Sequence, residues 1–177
     1  MNKKAFITQT FDYPKAEKLK SSLVKIVKDN YWASIQGGGS RTGFDLHKKD
    51  IKEMNTLLSW IQSKLPRVAY NFSQGGEDAG RMDTVGFNVN GFKIEECWGV
   101  YYKKGEGVVK HNHFPYAFTF QYCVDAPNTS APFIIEGKKV ALIPGKTVFF
   151  LSHQYHWAKP IPVDGRCVII GNILYER

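Results

Sequence analysis

Residues 108–115, VVKHNHFP, and residues 147–158, TVFFLSHQYHWA, decide how this chain is read. Both are short runs of β-branched and aromatic residues, the composition of strands. In a strand, residues i and i+2 share a face and lie about 6.5–7 Å apart. His111 and His113 can therefore turn both imidazoles toward one point. His156 lies on the second run and can supply a third imidazole from a distant strand. Metal–nitrogen bonds are roughly 2.0–2.1 Å, so such a cluster can share one ion. The alternative is a set of aromatic-packed histidines held by hydrogen bonds. Three neutral imidazoles suit zinc, and a facial set with open positions suits iron. Arg166 stands ten residues after His156, at the head of Cys167-Val168-Ile169-Ile170. An arginine among apolar strand residues needs an anionic partner, either a protein carboxylate or a bidentate dicarboxylate ligand.

Working outward, the chain changes character near residue 82. After it, short Val-, Ile-, Phe-, Tyr- and Thr-rich runs alternate with turns such as Asn90-Gly91, Glu136-Gly137, Pro144-Gly145 and Asp164-Gly165. Eight or nine strands are predicted there. Before it, Leu19, Leu23, Ile26 and Val27 form one helical face, with Pro14 near the helix start and Asp12 as its cap. A second helix is predicted over residues 48–65, with Met54, Leu57, Leu58 and Ile61 in its stripe and Pro66 ending it. The glycine-rich run at residues 74–80 reads equally as a lid or a linker. Helices followed by strands predict an α+β fold, the helices buttressing one sheet of a barrel or sandwich. No linker divides the chain, so residues 1–177 are taken as one domain: a helical part to about residue 80, then the strands.

The stretch from residue 98 to residue 175 resembles the 2-oxoglutarate- and iron(II)-dependent oxygenases, in their small bacterial and phage branch related to prolyl hydroxylases. The likeness rests on order and spacing. Trp98-Gly99-Val100-Tyr101-Tyr102 is followed by Gly105, then His111-Asn112-His113, then Pro144-Gly145 leading into Phe149-Phe150, then His156, Arg166 and Asn172. The resemblance implies a double-stranded β-helix, also called a jelly roll and shared with cupins. It implies Fe(II) on His111, His113 and His156. It implies 2-oxoglutarate as cosubstrate, held by Arg166, with Tyr102 and Asn172 contributing. The implied reaction is hydroxylation of a small-molecule or peptidyl substrate with release of succinate and CO2. The chain departs from the pattern at His113, where most of the family has Asp or Glu, and Asp125 is the fallback ligand. Val168 replaces a usual Ser. His153, at odd spacing from His156, is read as supporting or superficial. Phe114, Phe118, Phe120, Phe149 and Trp157 are available to line the pocket. Two rival readings remain: a cupin-type three-histidine metal protein, and a non-catalytic module of the same fold.

The bulk properties, 43% hydrophobic and 23% charged residues, are ordinary for a soluble globular protein. The 177 residues carry a net charge of +8, with most of the excess Lys in the first 64 residues. That charge is read as solvated helix faces that also attract acidic metabolites. Basic residues are not interleaved with aromatics as a nucleic-acid groove requires, so nucleic acid is not an expected partner. The second close arginine that base-repair enzymes of this kind carry is missing after Arg166. Cys97, Cys123 and Cys167 are odd in number and widely spaced, which predicts reduced thiols and a cytoplasmic location. No signal peptide or apolar span is predicted, and a homodimer is left open.

Overall fold

The computed structural model of the chain describes residues 8–74, 88–127 and 131–176. Its centre is a seven-stranded antiparallel sheet. In spatial order the strands are β1 (Thr8–Asp12), β9 (Lys146–Leu151), β6 (Phe118–Asp125), β11 (Arg166–Tyr175), β4 (Phe92–Tyr102), β3 (Ser40–Thr42) and β2 (Tyr31–Ser34). A four-stranded sheet contains β5 (Val108–His111), β10 (His156–Ala158), β7 (Phe133–Ile135) and β8 (Lys138–Val140). From β4 onward the chain passes back and forth between the two sheets, which makes the double-stranded β-helix. Eight of the described strands fall after residue 82, as the turn spacing predicts.

The large sheet sorts its side chains with a period of two. On β4 and β11, Cys97, Cys167, Ile169 and Ile173 join the core beneath the helices. Their alternates Trp98, Val100, Tyr102, Val168 and Ile170 form a second cluster on the opposite, inner face. The helices α1 (Ala16–Asp29), α2 (Lys52–Gln62) and α3 (Leu65–Gln74) cover the outer face. They bury Leu23, Val27, Met54, Leu57, Leu58 and Ile61, the stripes read from the sequence.

Four expectations are corrected. The part before residue 80 is not purely helical: β1, β2 and β3 belong to the large sheet. They are only three to five residues long, too short to show a periodicity. Asp12 caps no helix; it ends β1 and pairs with Lys146 on β9 at 2.9 Å. Pro66 does not end a helix but sits in the first turn of α3, where its missing N–H leaves no helical bond unmade. The run 147–158 is two strands, β9 and β10, in different sheets. They are joined by a corner in which Gln154 Oε1 accepts the Leu151 backbone N–H at 3.0 Å. Residues 75–80 of the glycine-rich run lie outside the described residues.

Candidate metal centre and its cavity

His111 is the last residue of β5 and faces His156, the first of β10, across an antiparallel pair. Residues directly opposite share a face, so register alone brings these two imidazoles together. His113 lies two residues past β5, and its backbone N–H donates to Ser152 O at 2.7 Å across the corner that follows β9. The three ring centroids are 4.3, 4.8 and 5.0 Å apart. Their ligand atoms all lie within 4.8 Å of one another.

Hydrogen bonds fix which nitrogen of each ring is free. Nδ1 of His111 lies 2.8 Å from Val109 O, and Nδ1 of His156 lies 3.1 Å from Gln154 O. A carbonyl only accepts, so both Nδ1 atoms carry the proton. Nδ1 of His113 lies 2.7 Å from Asn172 Oδ1. The amide is oriented by its other end, since Asn172 Nδ2 donates to Glu96 Oε2 at 2.8 Å and a carboxylate cannot donate. His113 Nδ1 is therefore protonated as well, and all three Nε2 atoms keep a free lone pair. Nε2 of His111 and Nε2 of His113 stand 3.1 Å apart. With both protons on Nδ1, that approach sets two lone pairs against each other. Two ligands at right angles about one ion, each bonded at about 2.1 Å, would be about 3.0 Å apart. The spacing is what a shared cation needs. Burial, reinforced by the neighbouring histidines, lowers His113 to about 4 and His156 to about 3, so both are neutral, the ligating form, at physiological pH.

The centre opens on a cavity of about 390 Å³ between the sheets. Trp98 lines it, with its ring 5.5 Å from that of His113. Gln121 and Glu96 line the same cavity, and Tyr102 forms part of its wall. Arg166 pairs in register with Tyr102, and its guanidinium lies 5.5 Å from the Tyr102 ring. Arg166 is 1% exposed and reaches the cavity through Tyr102 rather than lining it. Its Nη2 donates to Ala131 O, but Nε and Nη1 are buried with no partner among the described residues. An arginine stays charged, so unpaired guanidinium nitrogens at this depth are costly unless an anion meets them.

Other expectations fall differently. Asn172 reaches His113 and Glu96. Asp125 pairs with Lys20 at 2.8 Å and is not in the histidine group. His153 is exposed. Of the five aromatics put forward as pocket lining, Phe114 lines the cavity. Phe118, Phe120 and Phe149 face the helices in the other core, and Trp157 lies beside Lys110. The register places Phe133 and Phe150 at the cavity instead. Arg41, Phe44, Glu96 and Gln121 were not singled out from the sequence. Their placement depends on long-range strand pairing, which no local pattern carries.

No protein-family model matches the sequence, and no curated protein sequence matches it. Solved structures do. A prolyl-4-hydroxylase from Pseudomonas putida aligns with a TM-score of 0.67 and 13% identity, over 96% of this chain and 93% of that one. A viral collagen prolyl hydroxylase from Paramecium bursaria Chlorella virus-1, in complex with 2-oxoglutarate, aligns with a TM-score of 0.64 and 12% identity over 97% of each chain. An oxidoreductase of the 2-oxoglutarate–Fe(II) oxygenase family from Burkholderia pseudomallei gives a TM-score of 0.64 and 10% identity, over 96% and 86%. At these identities the likeness is one of architecture: the chain has the double-stranded β-helix fold seen in 2-oxoglutarate- and iron(II)-dependent oxygenases.

Proposed function

We propose that this protein is a 2-oxoglutarate- and Fe(II)-dependent oxygenase that hydroxylates a C–H bond of a small-molecule or peptidyl substrate. The carrying observation is the convergence of three Nε2 lone pairs on a cavity walled by Tyr102, behind which lies a buried arginine with two nitrogens unpaired among the described residues. His111, His113 and His156 would hold the iron, leaving its remaining positions for cosubstrate and dioxygen. Iron bound there supplies dioxygen activation. The proposed reaction turns 2-oxoglutarate, dioxygen and substrate into succinate, CO2 and a hydroxylated product. One oxygen atom enters the succinate carboxylate and the other enters the product. Arg166 answers the distal carboxylate, and Tyr102, whose ring lies 5.5 Å from the guanidinium, shares it. Trp98, Phe133 and Phe150 keep the cavity dry around the reacting carbon.

Arg41 bears on the substrate. It sits on β3 opposite Val100, lines the cavity and stacks over Phe44 at 4.0 Å. One nitrogen donates to Thr42 O at 2.8 Å, and it has no ion-pair partner among the described residues. A stacked guanidinium is pre-oriented to grip an acid group, so we assign the substrate an acidic group near its reacting carbon. A cupin-type metal protein would use the three histidines but gives no reason for a buried guanidinium with two nitrogens unpaired among the described residues. The test is succinate formation by the purified chain with Fe(II), ascorbate and 2-oxoglutarate. The reading predicts succinate that requires both iron and 2-oxoglutarate and disappears in His156→Ala. Turnover without 2-oxoglutarate would favour the cupin reading.

A further inference from the structure

Facial iron sites commonly use two histidines and one carboxylate. Here the third place is held by His113, and three neutral imidazoles bring no negative charge to a dication in a largely apolar cavity. A carboxylate is nevertheless close by. Glu96, on β4, stands opposite Asn172 of β11 in register and lines the same cavity. Its Oε2 accepts from Asn172 Nδ2 at 2.8 Å, and Asn172 Oδ1 accepts from His113 Nδ1 at 2.7 Å. Asn172 and Thr119 are buried, and the Thr119 hydroxyl, 3.2 Å from Asn172 Oδ1 and 2.8 Å from the Ser152 hydroxyl, holds the amide in place. No described cation pairs with Glu96.

Resting on the metal-binding reading above, we infer that Glu96 acts through Asn172 as the anionic outer half of the third ligand. The negative charge that other centres place on a metal-bound oxygen is moved two hydrogen bonds outward, to Glu96. The carboxylate polarises the amide, which makes Oδ1 a stronger acceptor for the His113 Nδ1 proton. That shifts electron density toward Nε2, the ligating atom. Glu96 and Asn172 are positioning residues: neither touches the metal. The pairing of β4 with β11 has its bulge next to Asn172, between Asn172 and Ile173.

The test is anaerobic titration of the whole chain with Co(II), followed by calorimetry and by visible absorption. Glu96→Gln keeps an oxygen that can accept from Asn172 and removes only the charge. It is expected to weaken Co(II) binding about tenfold and to shift the Co(II) absorption. Asn172→Ala is expected to weaken binding at least as much. In the Asn172→Ala background, Glu96→Gln should then cost nothing further, because the route through the amide is already cut. If Asn172→Ala does not fold, His113→Asp serves as the background: that ligand brings its own charge, and adding Glu96→Gln should leave affinity unchanged or tighten it. Unaltered affinity in Glu96→Gln, or an equal loss in the Asn172→Ala or His113→Asp background, overturns the relay while leaving the metal site standing. A parent chain that binds no Co(II) overturns both.

Discussion

Arg166 is the residue on which the functional reading is most exposed, because its burial is only partly compensated among the described residues. Two of its guanidinium nitrogens are buried without a partner among the described residues, and each such group costs about 1–3 kcal/mol. Replacing a poorly compensated buried charge with an apolar side chain of similar length is often neutral or stabilising. Arg166→Met is therefore expected to leave the ligand-free protein as stable as the parent or up to about 3 kcal/mol more stable. In the parent with Mn(II) present, 2-oxoglutarate at a hundred times its Kd should add about 2.7 kcal/mol; in Arg166→Met it should add nothing. Thermal unfolding with and without 2-oxoglutarate reads both effects, and a strongly destabilised variant that still responds would make Arg166 a structural residue. This arginine, like His111 and His156, was legible in the sequence because its strand context is local. Asn172 was legible as a position, but its contact with His113 was not. That contact joins the last strand to a loop 59 residues earlier, and no nearby pattern encodes it.

Among the elements, α1 is the one whose seat on the sheet can be tested by a single atom. Gly99 of β4 faces outward, and a Cβ placed there would lie 2.3 Å from Val27 Cγ2. Val27 is 2% exposed, and α1 packs directly on β4 and β6. Gly99→Ala should cost about 1–3 kcal/mol, the usual range for overpacking, measured by urea unfolding. Gly99→Ala with Val27→Ala should recover part of that loss, because the second change removes the clashing methyl groups. A Gly99→Ala protein as stable as the parent would mean that α1 is not seated as described. The helical stripes were readable because 3.6-residue periodicity persists over several turns. The strands β1, β2 and β3 were hidden by their brevity. The Glu136-Gly137 turn was legible for a backbone reason: both residues have positive φ, 47° and 77°, and join β7 to β8 as a tight hairpin.

Across the whole molecule, the two sheets and the helical layer bury all three thiols. Burial raises each: Cys123 to about 12, with Cys97 and Cys167 raised further. The folded protein thus holds protons that the unfolded chain releases from about pH 9 upward. The thiols cost no stability below that pH, and each removes about 1.4 kcal/mol per pH unit above it until its folded pKa is reached. Unfolding free energy should therefore fall steeply between pH 9 and 11. At pH 8 an alkylating reagent should modify none of the three cysteines until denaturant is added; rapid native labelling would contradict the packing. The architecture as a whole was readable from the order of motifs along the chain, because turn residues separate the short strands that follow residue 82. What no sequence pattern could supply is the meeting of three lone pairs at one point. The most direct test of that meeting is anaerobic calorimetry of the purified chain with Fe(II) and then with 2-oxoglutarate. The account predicts one iron per chain, then one 2-oxoglutarate per chain that binds only after the iron, with both events lost in His156→Ala. Absence of iron binding, or 2-oxoglutarate binding that is indifferent to iron and to His156, would contradict it.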